Sequence, residues 1–149
     1  MSMKSIKNDN PQTLVSKTIL IIEDIEATRE LLILVIGERY RYLEAGTSTE
    51  GLEFLRYYKP DIVIADLIIP DANGKIPTIY QACRIVEDIR QIDQQVKLVI
   101  NSVFTTEKNI RELLMGYGAD ICLSKLNWSP NMWHKILENL TLDSRAKTD

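Results

Sequence analysis

The chain of 149 residues contains no long apolar segment: its longest apolar run, at residues 31–36, is far shorter than the ~20 residues that a membrane span requires. Residues 1–10 contain no apolar stretch of the kind that a secretory signal needs. The two cysteines, Cys83 and Cys122, are too far apart in sequence to form a metal-spaced pair, which indicates reduced, buried thiols. These absences predict a cytoplasmic protein with no membrane association and no disulfide framework.

An excess of basic residues is also missing. The formal net charge is −3, and the few lysines near the start are too sparse to form a basic face, so no nucleic-acid partner is expected. Hydrophobic residues make up 45% of the chain and charged residues 26%, which is the composition of a globular protein. A chain of this length buries roughly 68–70% of its unfolded surface on folding. It therefore needs neither a disulfide nor a structural metal to fold.

Short apolar runs alternate with longer helical patterns along the chain. The runs are apolar at successive positions, as in strands that are buried on both faces. Five such strands alternating with five helices predict a doubly wound parallel sheet with helices on both faces. The predicted strands are Thr18–Ile22, Tyr40–Glu44, Ile62–Ala65, Val96–Ile100 and Ile121–Leu123, and the predicted helices cover residues 26–37, 48–58, 76–92, 105–116 and 130–141.

Several residues mark the ends of these elements. Ser129 and Pro130 are typical of a helix N-cap and first helical position. Gly37 and Gly116 lie where helix C-termini need a left-handed residue, and Asn73–Gly74 indicates a turn after the third strand. Only one helix follows the last strand, so the sequence predicts one domain with no output domain attached. We expect this domain to span residues 18–142, between a flexible extension at 1–17 and a tail at 143–149.

Polar residues directly follow four of the predicted strands. Because the carboxyl ends of parallel strands lie at one edge of the sheet, these side chains are expected to converge there. Clustered carboxylates repel one another unless a cation neutralises them, and oxygen ligands without His or Cys favour Mg²⁺ over zinc. The set suits phosphoryl transfer to a carboxylate, with a lysine and a hydroxyl contacting the transferred group. Its members are Glu23–Asp24, Asp66, Asn101–Ser102 and Ser124–Lys125.

The sequence resembles the receiver domains of response regulators, which have the CheY-like fold, over about residues 18–141. The resemblance rests on ILIIED (19–24), DIVIADLIIPDANG (61–74), LVINSV (98–103) and GADICLSK (118–125), in this order. It implies a flavodoxin-like, five-stranded sheet of order 2-1-3-4-5. It also implies a member of a two-component phosphorelay that performs self-phosphorylation and autodephosphorylation only, and is otherwise no enzyme.

The resemblance implies specific roles and partners. A sensor histidine kinase or phosphotransfer protein would donate the phosphoryl group, a downstream protein would be the target, and a homodimer stays open. The cofactor would be Mg²⁺. The matching site residues are Asp66 as phosphoacceptor, Asp24 as direct metal ligand, Glu23 as an acid that often acts through a water, the backbone carbonyl of Ile68 as a third protein ligand, Ser102 as the switch hydroxyl, and Lys125 as the invariant lysine.

Some positions depart from the family pattern. Cys122 replaces the usual aromatic residue, Leu126 replaces the usual proline, and Val103 replaces a smaller residue. The segment from Asp66 to Ser102 is also several residues longer than usual, around 75–80. A cis bond before a non-proline residue costs about 2.5–4 kcal/mol, so we predict a trans Lys125–Leu126 bond. Since Cys122 is small, we hypothesise that Phe104 carries the conformational signal instead.

Two other functions stay open at this stage. Asp24 and Glu26 match, loosely, the nucleophile motif of haloacid-dehalogenase phosphatases, with Asp24 as nucleophile and Glu26 as general acid. The departures at 103, 122 and 126 also suit a pseudo-receiver, a binding module that is not phosphorylated. Trp128 either covers the end of the fifth strand or contacts a partner.

Overall fold

The protein is an open α/β sheet with helices on both faces. The computed structural model describes residues 16–125 and 128–146. Within this part of the chain, five parallel strands form one sheet in the order β2-β1-β3-β4-β5, as predicted. The strands are β1 Thr18–Ile22, β2 Arg41–Ala45, β3 Ile62–Ala65, β4 Lys97–Asn101 and β5 Ile121–Leu123; the helices are α1 Glu26–Ile36, α2 Ser48–Tyr58, α3 Ile79–Ile92, α4 Lys108–Tyr117 and α5 Pro130–Ala146.

Alternation along the strands divides the apolar core into two layers. Leu20 and Ile22 of β1 pack with residues of α2, α3 and α4 on one face. Ile19 and Ile21 pack with residues of α1 and α5 on the other face, where Trp133 is fully buried. Because β1, β3 and β4 lie inside the sheet, their side chains are buried on both faces, which explains their continuous apolar sequence.

β2 and β4 each begin and end one residue later than predicted. β2 is aligned by its pairing with β1, in which Arg41 lies opposite Thr18 and Ala45 opposite Ile22. The N–H of Val96 donates to Asp93 Oδ1 in a turn, so β4 begins only at Lys97. These strand ends depend on the neighbouring element, which a local apolar pattern does not describe.

The predicted start of α3 at residue 76 is wrong, because the extra residues form its lead-in. Thr78 is the N-cap, and its side chain forms a capping box with Gln81. The predicted helix 105–116 is also displaced, since residues 103–106 form a 3-10 turn before α4. Gly118, not Gly116, has the left-handed conformation at the end of α4, with φ 119°. α5 continues to Ala146, beyond the predicted end at 141.

Other predicted end signals are confirmed. Gly37 and Gly74 have positive φ values of 96° and 79°, and Ser129 Oγ accepts a hydrogen bond from the N–H of Met132 as the N-cap of α5. Residues 1–15 of the predicted flexible extension lie outside the part of the chain that the structure describes. The predicted trans bond between Lys125 and Leu126 also lies outside it. No helix in the described part of the chain is long and apolar enough to cross a membrane.

Candidate functional site

The candidate site lies at the carboxyl ends of β1 and β3. Backbone hydrogen bonds continue past these strands, because Glu23 N–H donates to the carbonyl of Ala45 and Asp66 N–H donates to the carbonyl of Ile22, each at 3.0 Å. The sheet therefore holds the backbone of both acids. As predicted from the strand ends, their side chains come together with that of Lys125, which follows β5.

Lys125 bridges two carboxylates. Its Nζ lies 2.6 Å from Glu23 Oε2 and 2.7 Å from Asp66 Oδ2. The Glu23 side chain is only 3% exposed, against 13% for Asp66 and 19% for Lys125, so both ion pairs are shielded from water. Charge-assisted hydrogen bonds of this length are strong, and they fix the end of an otherwise flexible lysine.

Asp24 completes a cluster of three carboxylates. One oxygen atom from each of Glu23, Asp24 and Asp66 lies within 4.8 Å of the others, and Asp24 is exposed to solvent. The described residues bring a single ammonium, that of Lys125, into hydrogen-bond contact with this cluster. The negative charge is thus only partly neutralised. An open set of carboxylate oxygens with excess negative charge suits a hard divalent cation such as Mg²⁺.

Burial changes the acid–base properties of this cluster. Burial raises the pKa of Glu23, the Lys125 hydrogen bond lowers it and the nearby Asp66 charge raises it, and together these effects bring the pKa to about 7. Burial alone would lower the pKa of Lys125, but its hydrogen bonds to Asp66 and Glu23 raise that pKa above its ordinary value. Lys125 therefore stays charged at neutral pH, whereas Glu23 can hold a proton that a cation would displace.

The loop after Asp66 is compact. Asp66 Oδ1 accepts a hydrogen bond of 2.7 Å from Leu67 N–H, which orients the carboxylate. Ile68 is half-buried, and no hydrogen bond among the described residues uses its carbonyl, so that oxygen is available as a ligand. Further along, Asp71 Oδ1 accepts hydrogen bonds from Asn73 and Lys75 N–H groups and closes the turn.

Ser102 lies at the end of β4 and is 1% exposed. Its Oγ accepts a hydrogen bond of 3.3 Å from Phe104 N–H, so the hydroxyl caps the 3-10 turn that carries Phe104. Val103 and Phe104 are 44% and 37% exposed. The buried hydroxyl of Thr105 lies 2.7 Å from the carbonyl of Leu123, which connects this turn to β5.

The sequence analysis missed the supporting role of Arg29 and left that of Trp128 open. Arg29 donates a hydrogen bond of 2.6 Å to the carbonyl of Glu23 and pairs with Glu44 at 3.3 Å. Trp128, whose role was open, donates through Nε1 to Asn101 Oδ1 at 3.0 Å. It therefore covers the end of β4. Asn101 belongs to the polar residues predicted at the strand ends, but the sequence analysis did not predict its contact with Trp128.

Cys122 lies on the opposite face of β5 from the neighbouring Ile121 and Leu123. Burial raises its pKa to about 11, although the nearby Arg111 opposes the rise. Arg111, Met115 and Cys122 line a shallow, mainly apolar groove between α4 and β5. The small side chain thus leaves a groove rather than an aromatic surface at this position.

Solved structures with the same fold include a CheY-like response regulator receiver domain protein from Methanospirillum hungatei JF-1. It is 19% identical, with a TM-score of 0.75 over 89% of this chain and 99% of that chain. The receiver domain of AraT, a response regulator from Geobacillus stearothermophilus, is 15% identical, with a TM-score of 0.72 over 91% and 100%. At these identities the likeness establishes the fold.

The family follows from sequence comparison. Chemotaxis protein CheY of Halobacterium salinarum is 24% identical over 85% of this chain and 98% of its own length. The KDP operon transcriptional regulatory protein KdpE of Escherichia coli is 32% identical over 72% of this chain but only 44% of its own length. The family model described as response regulator receiver domain matches residues 19–137. The chain therefore belongs to the response regulator receiver domain family of two-component signalling.

Proposed function

We propose that this receiver domain accepts a phosphoryl group on Asp66 with the help of Mg²⁺. One observation carries the proposal: the shielded contact of Lys125 Nζ with Asp66 Oδ2 at 2.7 Å, beside the carboxylates of Glu23 and Asp24. This arrangement offers a nucleophilic carboxylate together with a fixed positive charge. Excess negative charge remains for a divalent cation to neutralise.

In the proposed reaction an Asp66 oxygen attacks the phosphorus of the donor in line. The bond between phosphorus and the leaving group breaks, and its electron pair leaves with that group, so that an aspartyl phosphate forms. The Lys125 ammonium is already beside Asp66, and it can move from Glu23 to a phosphoryl oxygen with a small change of side-chain torsions. Its positive charge favours the crowded negative charge of the product.

Glu23, Asp24, Asp66 and the Ile68 carbonyl would hold the metal. Their oxygen atoms match the preference of Mg²⁺, which keeps several waters and binds few protein carboxylates. A bound Mg²⁺ would neutralise phosphoryl oxygens and reduce the repulsion between the incoming phosphate and the acids. We infer that a bound cation would lower the raised pKa of Glu23 and so favour its charged form.

Phosphorylation is proposed to act on the turn after β4. A hydrogen bond from the Ser102 hydroxyl to the phosphoryl group would compete with its capping contact to Phe104 N–H, which is long at 3.3 Å. Loss of the cap would loosen residues 103–106 and move Phe104. Because Cys122 is too small to fill space as an aromatic residue does, Phe104 and the start of α4 are the proposed carriers of the signal.

The proposed partners follow from the family. A sensor histidine kinase or a phosphotransfer protein would donate the phosphoryl group, and a downstream protein would recognise the phosphorylated form. Residues 18–142 are the proposed extent of the receiver domain. The target surface would include α4, β5 and α5, of which α4 and β5 contact the turn that carries Phe104.

The test is the intact mass after incubation with acetyl phosphate and Mg²⁺. We expect one added phosphoryl group on the wild-type protein, none after chelation of the metal, and none on Asp66→Asn. The matched control is Asp71→Asn, which changes a carboxylate in the same loop outside the metal cluster, and should be phosphorylated normally.

Other outcomes would contradict the proposal in different ways. No uptake by the wild-type protein from acetyl phosphate or from phosphorylated partners would identify a pseudo-receiver. Uptake that survives Asp66→Asn but disappears in Asp24→Asn would instead support the phosphatase-type nucleophile, for which Glu26 lies in the first turn of α1.

A further inference from the structure

A side-chain contact joins two loops at the site. Trp128 Nε1 donates a hydrogen bond of 3.0 Å to Asn101 Oδ1. Asn101 ends β4 directly before Ser102, and Trp128 lies in the β5–α5 loop three residues after Lys125. The contact therefore connects the segments that carry the two groups expected to meet the phosphoryl group.

Both partners of this hydrogen bond are held firmly. Asn101 is 2% exposed, and its side chain belongs to the sheet face that packs against α1 and α5. The half-buried Trp128 ring contacts Trp133 edge to face, with centroids 6.0 Å apart and planes at 84°. A buried amide needs a donor for its oxygen, and the indole N–H can only donate, so each group satisfies the other.

The β5–α5 loop has anchors on both sides of Lys125. Before it, the Leu123 carbonyl accepts hydrogen bonds from Ser102 N–H at 3.0 Å and from the Thr105 hydroxyl at 2.7 Å. After it, the Trp128 hydrogen bond connects the described end of the loop to the sheet. Lys125 has a long and flexible side chain, so the position of its backbone decides whether Nζ reaches two carboxylates at once.

We propose that Asn101 and Trp128 are positioning residues for Lys125. Their hydrogen bond holds Trp128 against the end of β4, and we infer that it thereby keeps Lys125 Nζ between Glu23 and Asp66. The consequence for phosphoryl transfer rests on the proposed function, in which Lys125 meets the phosphoryl group. The position of Lys125 in the unliganded protein does not depend on that function and is tested separately.

The first test uses the ammonium signal of Lys125 in ¹H–¹⁵N spectra of the metal-free protein. An ammonium in a shielded ion pair exchanges slowly with water and gives a visible signal, which Lys125→Met would assign by removing it. Asn101→Leu removes the acceptor, and Trp128→Phe keeps a ring while removing the donor. Both variants should broaden or shift the signal.

Trp133→Phe is the matched control. It makes the same chemical change at the fourth residue of α5, but the Trp133 indole N–H is buried without a hydrogen-bond partner among the described residues. This variant should keep the Lys125 signal even if its melting temperature falls. An unchanged signal in Asn101→Leu and Trp128→Phe, or an equal loss in Trp133→Phe, would overturn the positioning role.

The second test separates positioning from general damage to the site. In the two positioning variants, beryllofluoride affinity in saturating Mg²⁺ should fall on the order of tenfold, because the analogue needs the Lys125 contact. Mg²⁺ affinity should change by no more than about twofold, since Glu23, Asp24 and Asp66 are untouched. Equal losses of both affinities would contradict the inference. If wild-type protein binds no beryllofluoride, the proposed function fails, while the ammonium signal still decides the positioning role.

Discussion

The two ends of the sheet carry charged clusters that are built in opposite ways. At the amino end, the Arg90 guanidinium donates to the carbonyls of Gly118 and Val96 at 2.9 and 2.6 Å and pairs with Asp120 at 3.0 Å. Asp120 also accepts a hydrogen bond from Leu98 N–H at 2.8 Å. Here one positive and one negative group satisfy each other and the backbone around them.

At the carboxyl end, charge is left over. Three carboxylates share one ammonium, and Asp24 remains exposed. The first arrangement connects α3, β4 and the turn before β5, which is a structural task. The second has unsatisfied charge at a fixed position, as a site for a cation and a phosphoryl group requires. The comparison teaches that incomplete neutralisation, rather than the number of charges, distinguishes the functional end.

The largest expected effect concerns chemistry at the carboxyl end. Asp66→Asn should lower phosphoryl uptake by a factor of roughly a thousand or more, because the amide is not a nucleophile of this kind. Its free energy of unfolding should change by no more than about 1 kcal/mol, since one negative charge leaves a repelling cluster. Intact mass and urea unfolding measure the two quantities. A large loss of stability would show that the carboxyl end, too, is structural.

The opposite result is expected at the amino end. Arg90→Met should cost about 3 kcal/mol of unfolding free energy, because it removes the ion pair of Asp120 and leaves the carbonyls of Gly118 and Val96 without their donor. Phosphoryl uptake by the folded protein should be unchanged. The control is Arg39→Met, which removes an exposed pair with Glu138 and should cost less than about 0.5 kcal/mol. Equal losses of unfolding free energy in Arg90→Met and Arg39→Met would contradict the structural role of the Arg90 cluster.

Mg²⁺ should stabilise the folded protein only by binding at the carboxyl end of the sheet. At a Mg²⁺ concentration a hundred times its Kd, the folded protein should gain about 2.7 kcal/mol by linkage. Asp24→Ala should lose most of this gain at the same concentration, whereas Asp71→Ala should retain it. Thermal unfolding with and without a chelator measures the gain. A similar gain in Asp24→Ala would rule out Asp24 as a ligand.

The alkylation rate of Cys122 measures how readily β5, between the two ends of the sheet, opens to solvent. Since burial raises its pKa from an ordinary 9.0 to about 11, alkylation at pH 8 should be about a hundred times slower than for an unperturbed cysteine. The rate should increase with pH until it levels off near that pKa, because only the thiolate reacts. Peptide mass spectrometry gives the rate at this residue. Alkylation as fast as in urea would show that β5 opens readily.

The smallest expected effect is at the amino end of β3. Lys59 ends α2 in a left-handed conformation with φ 49°, which costs energy for a residue with a Cβ. Lys59→Gly should therefore raise the free energy of unfolding by about 0.5 kcal/mol without altering Mg²⁺ binding. A loss of stability in urea unfolding would mean that the lysine side chain contributes contacts that outweigh the strain.

The strands and the edge of the sheet that carries the site could be predicted from the sequence, for a physical reason. Strands buried on both faces need continuous apolar runs, and residues after parallel strands share one edge, so Glu23, Asp66 and Lys125 could be placed together in advance. Contacts such as Arg90 with Gly118 and Trp128 with Asn101 join residues 28 and 27 positions apart. They follow no local period, and only the folded arrangement of helices and loops brings them together.

The central claim is that Asp66 is the nucleophile of this site. The most direct measurement is borohydride reduction after treatment with acetyl phosphate and Mg²⁺, because borohydride converts an aspartyl phosphate to homoserine at the modified position. Peptide mass spectrometry should find homoserine in place of Asp66, and only when phosphodonor and metal were both present. Homoserine in place of Asp24, or none at either position, would contradict the account.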